Sequence, residues 1–169
     1  TGTVPPGTTK GLAKNILERS SGKKAAHDFG LCCNPEFLRE GSAIHDTFKP
    51  DRVVIGELDG KSGTLLANLW KDFYPQPPPP IIRTSTVNAE LIKYASNAFL
   101  AMKVSFINMM ANMCQRIPES NVEDVAKGIG LDRRIGQQFL KAGFGFGGSC
   151  LGRDLRTLLR RAEELDVIL

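Results

Sequence analysis

The chain has 169 residues, 41% hydrophobic and 24% charged, which is ordinary for a globular protein of one domain or a domain and a part. Its net charge of +4 comes from scattered residues; Lys23-Lys24, Arg133-Arg134 and Arg160-Arg161 are no more than pairs, without interleaved aromatics, and this argues against nucleic-acid binding. No apolar run approaches the roughly 18 residues of a bilayer-spanning helix, which argues against a membrane partner.

No secretory signal opens the chain, and the four cysteines, Cys32, Cys33, Cys114 and Cys150, show no C-x-x-C spacing. No metal site is therefore expected, and a reduced, cytoplasmic protein fits best. Adjacent Cys32-Cys33 sits in an apolar run and reads as small buried hydrophobes. The opening "TGTVPPGTTK" begins on a turn, and "RAEELDVIL" stops as an apolar run starts; both ends read as those of a fragment.

In chain order, Gly7 to Ser20 predicts a helix with Leu12, Ile16 and Leu17 on one side. Asp28 to Cys33 and Arg52 to Gly56 predict short buried strands. Gly63 to Tyr74 carries Leu65, Leu66, Leu69, Trp70 and Phe73 at helical spacing. "YPQPPPP" is a stiff extended spacer leading into the strand candidate "IIRTS". Alternating strands and helices predict parallel α/β units.

From Asn88 to about Arg116 there is neither Gly nor Pro, and a helix is predicted with Thr86 as its cap and Glu90 in its positive first turn. At about 1.5 Å per residue it would be roughly 40 Å long. It is apolar on most sides and so should be buried on most sides, as the spine of a helical domain or of a dimer. Ser120-Asn-Val-Glu123 reads as a capping box for a helix ending near Gly130. Arg134 to Leu140 predicts another, and Ser149 caps a last one carrying Leu155, Leu158, Leu159, Ala162 and Leu165. The predicted fold is α/β followed by all-α.

"GFGFGGSC" satisfies G-x-G-x-x-G through Gly143, Gly145 and Gly148, but a helical pattern precedes it and no acid ends a following strand. What it offers is a flexible backbone that enters a helix N-terminus, where anions are stabilised. Cys150 would sit in that first turn with Asp154 one turn on, either as a reactive site or as a buried structural cysteine. Lys93 and Asn97 form a second pair four apart on the apolar helix; a buried Lys needs a partner, whereas a surface Lys would snorkel. Glu36 and Glu40 follow a strand, where α/β folds place ligand-binding groups, or simply begin a charged helix.

The segments "TVPPGTT", "NPEFLREGSAI", "PDRVVIG", "ELIKYASNAFLAMKVSFIN", "GLDRRIGQQFL" and "GFGGSC...D" occur in an order that resembles the UDP-glucose/GDP-mannose dehydrogenases over nearly the whole chain. The resemblance implies NAD as cofactor, a nucleotide sugar as substrate (UDP-glucose by default, with GDP-mannose and UDP-N-acetyl-mannosamine as alternatives) and a homodimer through the central helix. By position, Cys150 resembles the nucleophile, Lys93 the oxyanion-stabilising Lys, and Asn97 its partner. Asp154 resembles the Asp that holds a water, Glu36 the glutamate of thioester hydrolysis, and Thr3 the Thr that positions that water near NAD. Glu40 and Arg153 resemble residues close to the cofactor. Phe37, Leu38, Arg134, Phe139, Lys141, Phe144, Gly145 and Gly147 fall where the family meets substrate, with Arg134 offered to the neighbouring subunit. Two departures are "GRD" where "PKD" is common, and Gly2 where Ser is common.

The resemblance further implies that residues 1–87 are the C-terminal part of a Rossmann-like NAD domain. Residues 88–169 are then the long connecting helix and central helical dimerisation domain, with the third, nucleotide-binding domain absent. Such a fragment would lack a complete NAD site. Rival readings are a non-catalytic dimerisation module and a phosphate-binding protein that uses the glycine loop.

Overall fold

A computed structural model describes residues 2–168. It divides into two compact units, Thr1–Lys93 and Tyr94–Leu169. The first is α/β and the second all-α.

The first unit opens with a π-helical turn, Thr9–Ala13, continued by α1, Lys14–Ser21. Then come β1 (Cys32–Cys33), α2 (Ala43–Phe48), β2 (Val53–Glu57), α3 (Gly60–Phe73) and β3 (Ile81–Ser85). The sheet has three strands in the order β1-β2-β3, with β1 antiparallel and β3 parallel to β2. The expected run of parallel strands therefore holds for β2 and β3 only. β1 is also shorter than the predicted Asp28–Cys33 strand. Asp28 takes its carboxylate back to the Lys24 N–H at 2.7 Å and closes a local turn before the chain can extend.

β2 explains why its sequence is apolar without alternation: both faces are covered. Val53 and Ile55 pack with Ala67 and Tyr74 beneath α3, and Val54 packs with Cys33 and Ala89 on the other face. Val54 and Ile55 are fully buried, each worth about 1.5–3 kcal/mol relative to exposure. Trp70 stacks on Tyr74, Phe73 on Phe48, and the Tyr74 hydroxyl donates to the Thr47 carbonyl, so α3 holds α2 in place. Arg39 donates to both oxygens of Asp46 and holds that carboxyl well below the usual carboxylate range.

α4, Thr86–Cys114, starts on the residue after β3 ends. The Ser85 hydroxyl, rather than the predicted Thr86, accepts from the Asn88 N–H. Thr86 is itself buried at the helix start. The first turn lies directly on β2. A Cβ on Gly56 would come within 2.6 Å of the Ala89 methyl and 2.7 Å of the Thr86 Cα, so only glycine permits this approach. Glu90, expected to complement the helix dipole, is buried and accepts instead from the Gly7 and Thr9 N–H groups.

In the second unit, α4 is followed by α5 (Val122–Gly130) and α6 (Ser149–Glu163). The α5 cap is Asn121, whose side chain accepts from the Glu123 N–H. Ser120, expected in that role, donates to the carbonyls of Cys114 and Ile117 at the end of α4. The predicted Arg134–Leu140 helix is a series of turns, with Gly136 and Phe139 at φ 71° and 64°, incompatible with helix. α6 is capped by Gly148, with Ser149 inside the helix. α4 is also less enclosed than predicted: Tyr94, Ala101, Val104 and Ile107 are buried, whereas Phe99, Met102, Phe106, Met109 and Met113 are exposed.

Replacing Glu90 by Gln should lower the unfolding free energy by about 3 kcal/mol, since one of the two backbone N–H groups then faces an NH2 in place of its acceptor and the other keeps only a neutral carbonyl. Urea titration measures this; a change within about 0.5 kcal/mol would mean the carboxylate does not anchor residues 7–9.

Candidate functional site

In the first unit the segment after β1 carries the predicted acids. Asn34 is buried and anchors it: its amide donates to the Val54 carbonyl at 2.8 Å, and its carbonyl accepts from Trp70 Nε1 at 3.1 Å. The sequence reading missed Asn34; the one signal was an amide directly after an apolar strand. Residues 34–39 run as an irregular segment, so Glu36 and Glu40 do not share a helix face.

Glu36 meets two other predicted residues. The Thr3 hydroxyl donates to Oε1 at 3.2 Å, and Lys93 Nζ lies 3.3 Å from Oε2. Oε2 itself is buried and makes no well-aligned hydrogen bond, so its contact with the ammonium is mainly coulombic. Lys93 is 7% exposed and therefore needs this charge. Its ammonium also lies 5.3 Å from the centroid of the Phe37 ring, within the range of cation–π attraction. Phe37 packs beside the Cys33, Val54 and Ala89 cluster, whereas Leu38 and Glu40 are exposed. The structure thus brings together Thr3, Glu36, Phe37 and Lys93, with Leu38 and Glu40 on the open surface.

In the second unit Asp154 is fully buried. Its carboxylate accepts from Asn97 Nδ2 at 2.6 Å and Arg153 Nε at 3.0 Å. Asn97, expected beside Lys93, thus serves Asp154. Arg153 is half-exposed and gives part of its donor capacity to the same carboxylate. Cys150 is the second residue of α6, exposed, four residues before Asp154. An exposed thiol in a first helical turn, with a buried and doubly hydrogen-bonded carboxylate one turn on, suits nucleophilic chemistry.

The segment before α6 is open. Lys141, Phe144, Gly145 and Gly147 are exposed, and Gly145 has φ 104°, which a side chain would strain. Phe139 holds a left-handed conformation rare for an aromatic residue. The Gly143 N–H donates to Asn108 Oδ1 at 2.9 Å and ties the segment to α4. A groove of about 580 Å³ lies there, lined by Asn108, Ala111, Asn112, Gln115 and residues 142–145. Arg134 folds onto Asp132 through paired hydrogen bonds and is otherwise exposed. Among the described residues no three His, Cys, Asp or Glu side chains converge as metal ligands.

Residues 1–74 match the NAD binding domain of the UDP-glucose/GDP-mannose dehydrogenase family, and residues 87–169 match its central domain. A UDP-glucose 6-dehydrogenase of Bacillus subtilis is 50% identical over 162 residues, covering 96% of this chain and 33% of that protein. The structure of a UDP-glucose dehydrogenase from Pyrobaculum islandicum aligns with a TM-score of 0.86 at 44% identity, covering 98% of this chain and 36% of that one. A ternary complex of GDP-mannose dehydrogenase from Pseudomonas aeruginosa aligns with a TM-score of 0.71 at 42% identity, covering 98% and 37%. The chain spans about a third of the length of the curated relatives it matches.

Asn97→Ala leaves a buried carboxylate oxygen short of a donor and should destabilise the protein by about 1–3 kcal/mol. The double variant with Asp154→Ala should lose clearly less than the sum of the two single changes. Additive losses in urea titrations would contradict the pairing.

Proposed function

The chain belongs to the UDP-glucose/GDP-mannose dehydrogenase family, and on that premise we propose that it carries the thiol and acid–base residues for oxidising a nucleotide sugar, by default UDP-glucose, to its uronic acid. The observation that carries this reading is Cys150, an exposed thiol in the first turn of α6 one turn from buried Asp154. Supporting it is the Thr3–Glu36–Lys93 group, a carboxylate oriented by a hydroxyl and an ammonium. NAD, when bound, supplies the acceptor for two hydrides. The residues here fit it only in part: Thr3, Glu40 and Arg153 would flank it. The glycine run at 143–148 follows turns, not a strand, and does not make a Rossmann pyrophosphate cradle.

Cys150 adds to the C6 aldehyde left by the first oxidation, forming a C–S bond and an oxyanion that the Lys93 ammonium neutralises. The thiohemiacetal keeps the aldehyde from escaping. Once the second hydride has left, the sugar is held as a thioester. Glu36, aligned by Thr3, takes a proton from the attacking water; the C–S bond breaks, and acid and thiol are released. Asp154, fixed by Asn97 and Arg153, holds the start of α6 and its thiol in place. Arg134 and residues 139–147, most of them exposed, supply the contacts that would meet the sugar nucleotide.

In the full-length protein, Glu36→Gln should give a burst of NADH and then slow turnover, with a sugar adduct on Cys150 visible by intact-mass measurement after acid quench. Cys150→Ala should carry no adduct and lose acid production by orders of magnitude, about 10³-fold or more. An adduct on Cys150→Ala, or near-normal acid production, overturns the thiol mechanism.

The exposed Phe99, Met102, Phe106, Met109 and Met113 of α4 further support a homodimer through this helix. Sedimentation should give a dimer at micromolar concentration, with Phe99→Glu/Phe106→Glu monomeric; a folded monomer in the unchanged chain refutes this.

A further inference from the structure

Arg52, immediately before β2, places its guanidinium carbon 3.9 Å from the centroid of the Phe37 ring. The same ring lies under the Lys93 ammonium at 5.3 Å. Two cations thus converge on one aromatic side chain, and that side chain is the neighbour of Glu36. The ring is also packed beside Cys33, Val54 and Ala89, so it cannot drift freely.

A lysine ammonium sits at the end of a flexible four-carbon stem, and one ion pair fixes its distance from a partner but not its direction. A planar guanidinium over an aromatic face is, by contrast, a rigid contact, and here it comes from a residue adjoining the buried residues 53–56 of β2. We propose that Arg52 is a positioning residue: through the Phe37 ring it fixes the direction of the Lys93 ammonium relative to Glu36. Arg52 acts on Lys93 through the ring and needs no contact with substrate. The consequence for catalysis rests on the proposed role of Lys93, whereas the positioning itself does not.

Two measurements on the full-length protein separate these. Brief treatment with acetic anhydride, read by peptide mass spectrometry against exposed Lys61 and Lys71, reports how securely Lys93 is held. Arg52→Met and Phe37→Leu should each raise Lys93 labelling about fivefold, equivalent to about 1 kcal/mol, with the reference lysines unchanged. The double variant should match the larger single effect, and Phe37→Tyr, which keeps the ring, should stay near the unchanged protein. If Arg52→Met unfolds, Arg52→Lys, which keeps the charge but loses the flat group, should show the same rise.

Unaltered Lys93 labelling, or effects of Arg52 and Phe37 that multiply independently, overturns the proposal. In nucleotide-sugar oxidation Arg52→Met should lower kcat about tenfold with KM within about twofold. A raised KM at unchanged kcat would make Arg52 a ligand contact and also overturns it. Raised labelling with unchanged kcat and KM would uphold the positioning and instead remove Lys93 from the reaction.

Discussion

The first unit depends on the seat of α4 on β2 at Gly56. Because that residue has no Cβ, the helix backbone comes down onto the strand, with Thr86 and Ala89 against it. Positions 86, 89, 90 and 93 then share one side of the helix, at the three- and four-residue spacing of a single face. The same face therefore presents Ala89 to the sheet, Glu90 to the Gly7 and Thr9 amides, and Lys93 to Glu36. Lift the helix by the width of a methyl group and all three contacts lengthen together.

Buried charge is handled in one way throughout. Glu90 is met by backbone N–H groups, Lys93 by a carboxylate and a ring, and Asp154 by an amide and a guanidinium. Except for the adjacent Arg153–Asp154 pair, each of these contacts joins segments far apart in sequence, so it fixes tertiary structure as well as satisfying the ion. Asn34 and Trp70, which anchor the segment carrying Glu36, and Phe37 beside Lys93 are uncharged and partly or wholly buried. Thr3 and Glu36 lie on irregular segments, whereas Lys93, Asn97, Cys150 and Asp154 lie on helices.

Most of the regular structure was legible in the sequence because its causes are local. The apolar run of β2, the helical spacing along α3 and the absence of Gly and Pro along α4 can each be read locally. The misreadings occur where a side chain had two possible partners. Asp28 closes a turn and shortens β1; Ser120 serves the end of α4 and leaves Asn121 to cap α5. Asp132 bonds the Arg134 N–H and draws its guanidinium into a turn where a helix was expected. At the site, Cys150 and Asp154, or Lys93 and Asn97, could be noticed from spacing four apart. That Glu36 meets Thr3 and Lys93, that Asn97 meets Asp154, and that Arg52 covers Phe37 are long-range facts that no local spacing encodes.

The direct passage from β3 to α4 has a consequence for how this sequence can vary in length. No linker residue separates Ser85 from Thr86, so the strand sets the rotational phase of the helix. One residue inserted between Thr86 and Lys93 would turn everything after it by about 100° and advance it by about 1.5 Å. Ala89 and Glu90 could not both keep their partners. The proline-rich spacer at 75–80 and the turns at 131–140 carry no such phase, and gain or loss of residues there leaves the helix face intact. Added or lost residues are therefore accommodated in those two stretches, while the span from β3 to Lys93 needs a fixed count to keep its contacts.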